Sequence, residues 1–295
     1  MGNEDLSALE KMVYPGRFII IGQLKNETDV VIYGLSGRSE SSQARVLRSK
    51  ENDNENPDNP LLIVSTKPTD PKALEKGDPA LLVYDALITD GNLTAVSNGT
   101  QTNMIFTIGS LYEKLFVAKM QLSEFLNGRP IDFNNNLLMN DEISLPELIL
   151  NAYFSSKNMH QRLRDGRQIN LASYEPDKPI YTPRISGIID HVEQKAGLVI
   201  IKKDIDIDET EPTIEKHFFE LEPGKGYMIA TYNGVNPNPP GIVPSFEGVG
   251  RPINFGNLTK PKDIANLFYN AIGKYAVSVA CVLPNTKEAV IKNLH

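Results

Sequence analysis

Apolar residues along this chain come first in short blocks and only later in a helical period. Residues 18–21 and 30–33 are unbroken apolar runs of strand length. The polar turn at 25–28 lies between them, so a β-hairpin is predicted. Residues 34–39 read as a loop, 44–47 as part of a polar stretch, and the polar run at 51–60 as a surface loop. Further strands are predicted over 61–65, 80–87 and 94–97. The period then changes. Ile108, Leu111, Leu115, Ala118, Met120 and Leu122 fall close to one face and predict a helix over 107–126. A second helix is predicted within 145–154, where Pro146 suits a first turn. Strands return at 184–189, 197–202, 216–221 and 226–231. A Gly/Pro-rich loop over 233–252, a helix over 262–272 and an apolar strand over 275–283 follow.

Strands in runs, with helices segregated between them, predict an α+β fold of two mostly antiparallel sheets covered by helices. The expected organisation is a single domain over 1–295, with a core at about 14–233 and a C-terminal extension, 234–295, packed on it. Composition adds limits. Among 295 residues, 40% are hydrophobic and 23% charged, as in an ordinary soluble globular protein. The net charge of -7 argues against a nucleic-acid surface, although a few local arginines would suffice for one nucleotide. The single cysteine, Cys281, lies in an apolar run and reads as a buried, inert thiol. No run approaches a membrane span, and the acidic, polar N-terminus is unlike a secretory signal. The expectation is a cytoplasmic protein with no membrane partner.

Chemistry-bearing residues gather where apolar runs end. These segments are Tyr14-Pro15-Gly16-Arg17, Gly34-Leu35-Ser36-Gly37-Arg38-Ser39, Ala95-Val96-Ser97-Asn98-Gly99-Thr100-Gln101-Thr102, Tyr181-Thr182-Pro183-Arg184 and Ala230-Thr231-Tyr232-Asn233-Gly234. Strand ends are rigid places from which loops present ligand groups. Glycine permits close backbone approach, and arginine offers a planar, permanently charged fork. Taken singly, each segment reads as a turn or a solvated loop. Other polar groups read as structural. Asp204, Asp206 and Asp208 alternate with Ile as in a half-buried strand, and Glu209 stands where a calcium loop needs Gly. His160, His191, His217 and His295 show no zinc spacing. Arg162, Arg164 and Arg167 read as a solvated cluster rather than a phosphate site.

Together and in this order, with Arg45, Tyr84 and Tyr174-Glu175, these segments resemble the archaeal-type IMP cyclohydrolase family from about Tyr14 to Asn233. The chain is longer than the compact archaeal members, with extra residues at 51–60, between Asn134 and Ala172, and after Asn233. The resemblance implies a four-layer αββα sandwich similar to the N-terminal-nucleophile hydrolases. Those enzymes use a Ser, Thr or Cys at a chain start. Here the sequence opens Met1-Gly2-Asn3, so autocatalytic processing is not expected.

The implied activity is that of a cyclohydrolase acting on a cyclic amidine. It would convert the formamido-imidazole-carboxamide ribonucleotide to IMP in purine biosynthesis. In this reading Arg38 and Tyr84 donate to the developing oxyanion, and Glu175 orients the carboxamide or accepts its proton. Asn98, Gly99, Thr100, Thr182 and Arg184 hold the base and the ribose phosphate. Arg17 and Arg45 are further phosphate candidates, and Ser39 and Tyr232 complete the substrate-binding set. No cofactor is implied: with neither metal spacing nor a dinucleotide fingerprint, activity is expected to survive chelation and to need no nicotinamide. Two alternatives stand beside it, a same-fold enzyme acting on another nucleotide or amide, and a non-catalytic nucleotide-binding protein. Homo-oligomerisation is left open.

Overall fold

The computed structural model describes residues 6–52, 60–125, 143–155, 159–162, 166–203, 211–234, 244–248 and 250–294, with side chains omitted at 116–125 and 155. A short helix, α1 (Ser7–Glu10), precedes the hairpin β1 (Arg17–Gln23) and β2 (Asp29–Ser36). Then come α2 (Glu40–Gln43), β3 (Arg45–Asn52), β4 (Leu61–Pro68), α3 (Pro71–Leu74), α4 (Pro79–Leu82), β5 (Asp85–Thr89) and β6 (Leu93–Ser97). The long helix α5 (Gln101–Phe125) and α6 (Leu145–Ser155) follow, and then the small pair β7 (His160–Arg162) and β8 (Gln168–Asn170). The remainder is β9 (Arg184–Asp190), β10 (Lys195–Lys202), β11 (Thr213–Glu220), β12 (Lys225–Ala230), β13 (Arg251–Asn254), α7 (Pro261–Ile272), β14 (Ala276–Leu283) and β15 (Glu288–Asn293).

Two large sheets result. One runs β13-β12-β1-β2-β14-β15 and the other β11-β10-β9-β6-β5-β4-β3. Neighbouring strands in both pair antiparallel. The sheets face each other across a core that includes Ile21, Val96, Ile189, Leu198 and Ile229. Gly187 sets how closely they approach, since a Cβ there would fall 2.6 Å from Ile21 Cδ1. Helix α7 buries Ile264, Phe268 and Ile272 against the first sheet. Helices α5 and α6 cover the second, with Ile105, Ile149 and Tyr153 packed on Ile88, Ile188 and Val199. Strands β1, β2 and β14 are therefore covered on both faces, which is why they read as continuous apolar runs.

The differences from the sequence-based expectation concentrate at sheet margins. The stretch expected to be polar around 44–47 opens β3, whose later residues are exposed at the edge of the seven-stranded sheet. Strands β13 and β15 are the edges of the other sheet and were not expected. Edge strands carry charges and proline, as in Arg251-Pro252 and Lys292, and so lack a buried-strand pattern. The strand expected over 80–87 is instead α4 followed by β5, because the Asp78 carboxylate caps Ala80 N–H at 3.0 Å and Pro79 opens the helix. Helix α5 starts at Gln101, six residues before its apolar period is visible. The segment expected as an extension is woven into the first sheet, with β14 hydrogen-bonded between β2 and β15. Asp204, Asp206, Asp208, Arg164, His295, residues 53–59 of the expected surface loop and half of the expected loop at 233–252 lie outside the described residues.

Candidate functional site

The segments singled out at strand ends meet at one end of the sandwich. Arg17 begins β1 and Arg184 begins β9, so one guanidinium comes from each sheet. Glu175 reaches between them from the loop ahead of β9, which is tied down by Glu175 N–H donating to Thr182 O at 2.8 Å. Arg17 Nη2 donates to Glu175 Oε2 at 3.1 Å, and both side chains are buried. Arg184 is 1% exposed; its Nη1 donates to Gln101 Oε1 at 3.1 Å.

Three groups in this cluster are left over. Among the described residues, Glu175 Oε1, Arg184 Nε and Arg184 Nη2 are buried without a hydrogen-bond partner. An unmet buried polar group is costly, and a site built to bind a polar ligand is one reason to keep it. Electrostatics follow the same geometry. Burial pushes the Glu175 carboxyl above the usual glutamate range, with Arg17 and Arg184 opposing the shift. Burial pulls the Arg184 guanidinium down, against the pull of Glu175. For Arg17 burial also works against the charge, but Glu175 and the hydroxyls of Tyr84, Tyr33 and Tyr232 more than offset it.

Hydroxyls line the approach. Tyr84 lies just before β5, and its OH is 2.8 Å from the OH of Tyr33 on β2. On the other side Thr182 Oγ1 donates to Asp177 Oδ2 at 2.5 Å, so the Tyr232 OH, 3.0 Å away, donates to Thr182. Tyr232 stacks on Tyr14, and the Arg38 guanidinium lies 4.3 Å from the centre of the Tyr14 ring. Arg38 is thus held at the outer side of this aromatic stack, while Arg17, Tyr84, Glu175, Thr182, Arg184 and Tyr232 are grouped within.

The remaining expected residues have local work. Asn98 spends its amide on the β6–β9 junction: Nδ2 donates to Pro183 O at 2.8 Å, and Oδ1 accepts from Ile185 N and Gln101 Nε2. It thereby fixes the neighbours of Arg184. Gly99 lies so close to that arginine that a Cβ would fall 2.8 Å from its Nη1. Ser39 is exposed and forms a capping box with Ser42 at the start of α2. Arg45 is buried and donates to the carbonyls of Ser42 and Leu82. Thr100 lines a cavity of about 550 Å³, together with Tyr84, Asn103, Lys67, His160 and Arg162.

The sequence gives no role to Tyr33, Gln101 or Asp177, and Arg162, expected to be solvated, lines the cavity. Tyr33 is hidden in an apolar run, Gln101 lies within the Ala95–Thr102 segment without a signal of its own, and Asp177 lies just past Glu175. Arg167, grouped with Arg162 as solvated, makes a two-pronged ion pair with Asp78 at 2.7 and 3.0 Å. His191 is structural, as expected: its Nδ1 lies 2.6 Å from Asp29 Oδ2 and its Nε2 2.7 Å from Thr94 Oγ1, joining the two sheets at the end opposite the arginines. Cys281 is buried, and burial pushes its thiol well above the usual range. Among the described residues, no helix is long and apolar enough to cross a membrane.

Comparison with curated proteins gave no match. The family model described as IMP cyclohydrolase-like protein matches residues 14–114 and 155–288, a span that contains every residue of the buried cluster and continues through β14. The chain belongs to the IMP cyclohydrolase-like protein family.

Proposed function

We propose that the chain is an IMP cyclohydrolase, closing the six-membered purine ring of formamido-imidazole-carboxamide ribonucleotide with loss of water. The observation that carries this reading is the set of unmet groups in the buried cluster. Glu175 Oε1 is an acceptor lacking a donor, while Arg184 Nε and Nη2 are donors lacking an acceptor. A carboxamide offers both complements on one planar group: N–H bonds for the carboxylate and a carbonyl oxygen for the guanidinium. The αββα layering implied by the resemblance to N-terminal-nucleophile hydrolases accords with helices outside two facing sheets.

In this reading the carboxamide nitrogen attacks the neighbouring formyl carbon and gives up one proton to Glu175. Burial favours the protonated form of Glu175, which makes its carboxylate a stronger base than an exposed one. The formyl oxygen becomes a hydroxyl with a proton supplied through Tyr84. It then leaves as water, taking the hydrogen of the formamido nitrogen, while Glu175 releases the proton it took and Tyr84 regains one, both through solvent. Bonds and protons balance without an oxidant or reductant. Both reacting groups lie on one ring, so positioning alone supplies much of the rate. Tyr84 and the arginines stabilise oxygen charge as it develops. Arg38, stacked on Tyr14, would reach this oxygen by turning inward from the rim.

Ultraviolet absorbance during incubation with the formamido nucleotide tests the proposal, because ring closure changes the chromophore. A protein-dependent conversion to the IMP spectrum is expected. A spectrum that changes no faster than in buffer overturns the assignment.

A further inference from the structure

Tyr33 sits in the middle of the six-stranded sheet, opposite Ile19 of β1 on one side and Ala280 of β14 on the other. Its side chain is fully buried in the apolar core between the sheets. Phenylalanine has the same ring, so packing alone does not account for the hydroxyl, and a buried hydroxyl is costly unless it is paired. The partner comes from the opposite sheet: Tyr33 OH lies 2.8 Å from Tyr84 OH. Tyr84 is itself held by Thr66, its N–H donating to Thr66 Oγ1 at 2.8 Å and its carbonyl accepting from Thr66 N–H at 2.9 Å. Among the described residues, neither hydroxyl has another hydrogen-bond partner.

The surroundings of the two hydroxyls decide which one donates. Tyr84 lines the cavity of about 550 Å³, whereas Tyr33 is enclosed by protein. Were Tyr84 to donate to Tyr33, the Tyr33 proton would be buried without an acceptor, the more costly arrangement. With Tyr33 donating, each proton has a use. The Tyr33 proton lies on the Tyr84 oxygen, and the Tyr84 proton is directed to the cavity. Burial pushes the Tyr33 hydroxyl well above the usual tyrosine range, with Tyr84 adding to the shift and Arg17 and Arg45 opposing it, so Tyr33 keeps its proton. Without a second partner, it also has no route by which to pass a proton inward.

We infer that Tyr33 is a positioning residue for the reaction: its hydroxyl donates to the Tyr84 oxygen, aims the Tyr84 proton into the cavity and stabilises the negative charge left on that oxygen when the proton is given up. In the proposed ring closure the Tyr84 O–H bond breaks, its proton passes to the formyl oxygen and the electron pair stays on the Tyr84 oxygen. The Tyr33 O–H bond remains intact, and Tyr84 regains a proton from the cavity side. The effect of Tyr33 on turnover rests on the function proposed above; the direction of the hydrogen bond does not.

Ring-closure kinetics of Tyr33→Phe, Tyr84→Phe and the double variant test the role, with melting curves to verify folding. Tyr33→Phe should lower kcat on the order of tenfold to a hundredfold, the usual loss for a hydrogen bond to a charged group, and leave KM unchanged. The double variant should be no slower than Tyr84→Phe, because Tyr33 acts only through that oxygen. A folded Tyr33→Phe protein with wild-type kcat, or losses that add in the double variant, overturns the role and leaves the activity standing. Proton NMR of protein carrying isotope-labelled tyrosine tests the hydrogen bond without any turnover. A phenolic proton in slow exchange with water should correlate with the ring whose signals vanish in Tyr33→Phe. It should keep that ring and move upfield in Tyr84→Phe, where its acceptor is gone, so this variant identifies it even where Tyr33→Phe does not fold. A slow proton that belongs to the Tyr84 ring overturns the assignment. Wild-type protein that shows the Tyr33 proton bonded to Tyr84 but closes no ring removes the activity and keeps the oriented pair.

Discussion

Glu175 gives one oxygen to Arg17, 3.1 Å away, and holds its second oxygen buried and unpaired. The first contact orients the carboxylate, and the second oxygen is the group available for chemistry. Burial favours the neutral acid, so the protonation step lies above the value of about 4.3 for a free glutamate. The accepting form is the carboxylate. Activity should therefore rise with pH through that displaced step, and kcat/KM should show an acid limb above the ordinary carboxylate range. Glu175→Gln should remove most of the activity and the limb together. A pH–rate profile of both proteins checks this, and an unchanged limb in the variant would take Glu175 out of the proton transfer.

Tyr84→Phe keeps the ring and deletes the hydroxyl that faces Tyr33. If that hydroxyl serves oxygen charge present only during reaction, kcat should fall on the order of a hundredfold while KM moves little. Steady-state kinetics decide between this and a packing role, for which turnover would stay near the wild-type value.

Gly99→Ala asks whether the position of Arg184 matters. The added methyl would meet Gln101 Oε1 at 2.5 Å and Arg184 Nη1 at 2.8 Å, both buried. Overpacking of this kind costs about 1–3 kcal/mol, and here it also displaces the guanidinium. Substrate binding should weaken along with the melting temperature. A variant with wild-type kinetics would show that the site tolerates a displaced Arg184.

At the far end of the sandwich, Asp29 tests stability rather than catalysis. Burial alone would raise its pKa, but hydrogen bonds from His191, Gln23 and Gln194 hold it below the usual aspartate value. A depressed folded-state pKa contributes stability above about pH 3.9, the unfolded value, and the contribution is lost as pH falls toward the folded one. Asp29→Asn should cost roughly 1.5–3 kcal/mol near neutral pH. The gap from wild type should close in acid. Denaturant unfolding across pH measures it, and a constant gap would mean that the charge of Asp29 contributes nothing.

The interior of the fold was legible in the sequence because burial on both faces leaves continuous apolar runs such as those of β1 and β14. The margins were not. β3, β13 and β15 satisfy only half their backbone in the sheet and take whatever side chains solvent tolerates. The site divides in the same way. Arg17, Glu175 and Arg184 carry groups whose chemistry is visible in any context, and the family resemblance gave their order meaning. Tyr33 and Gln101 acquire a role only from what folds against them. Asn98 was legible as a site residue, but its hydrogen bonds show it bracing the strand junction. Arg162 looked solvated because sequence cannot show that its strand borders a cavity.

The pairing of β1 with β12 and of β2 with β14 sets the order in which the site can come into being. Arg17 N–H meets Thr231 Oγ1 across 214 residues of chain, and its guanidinium meets Glu175 across 158. During synthesis the first hairpin emerges from the ribosome long before either neighbouring strand exists. Its apolar faces must wait through most of translation, a delay characteristic of folds with distant pairings. The seven-stranded sheet, whose β3–β6 segment is a run of sequence-local antiparallel neighbours, has its partners much sooner. Tyr84 is therefore in place early, and the pocket is completed around it when the last strands arrive.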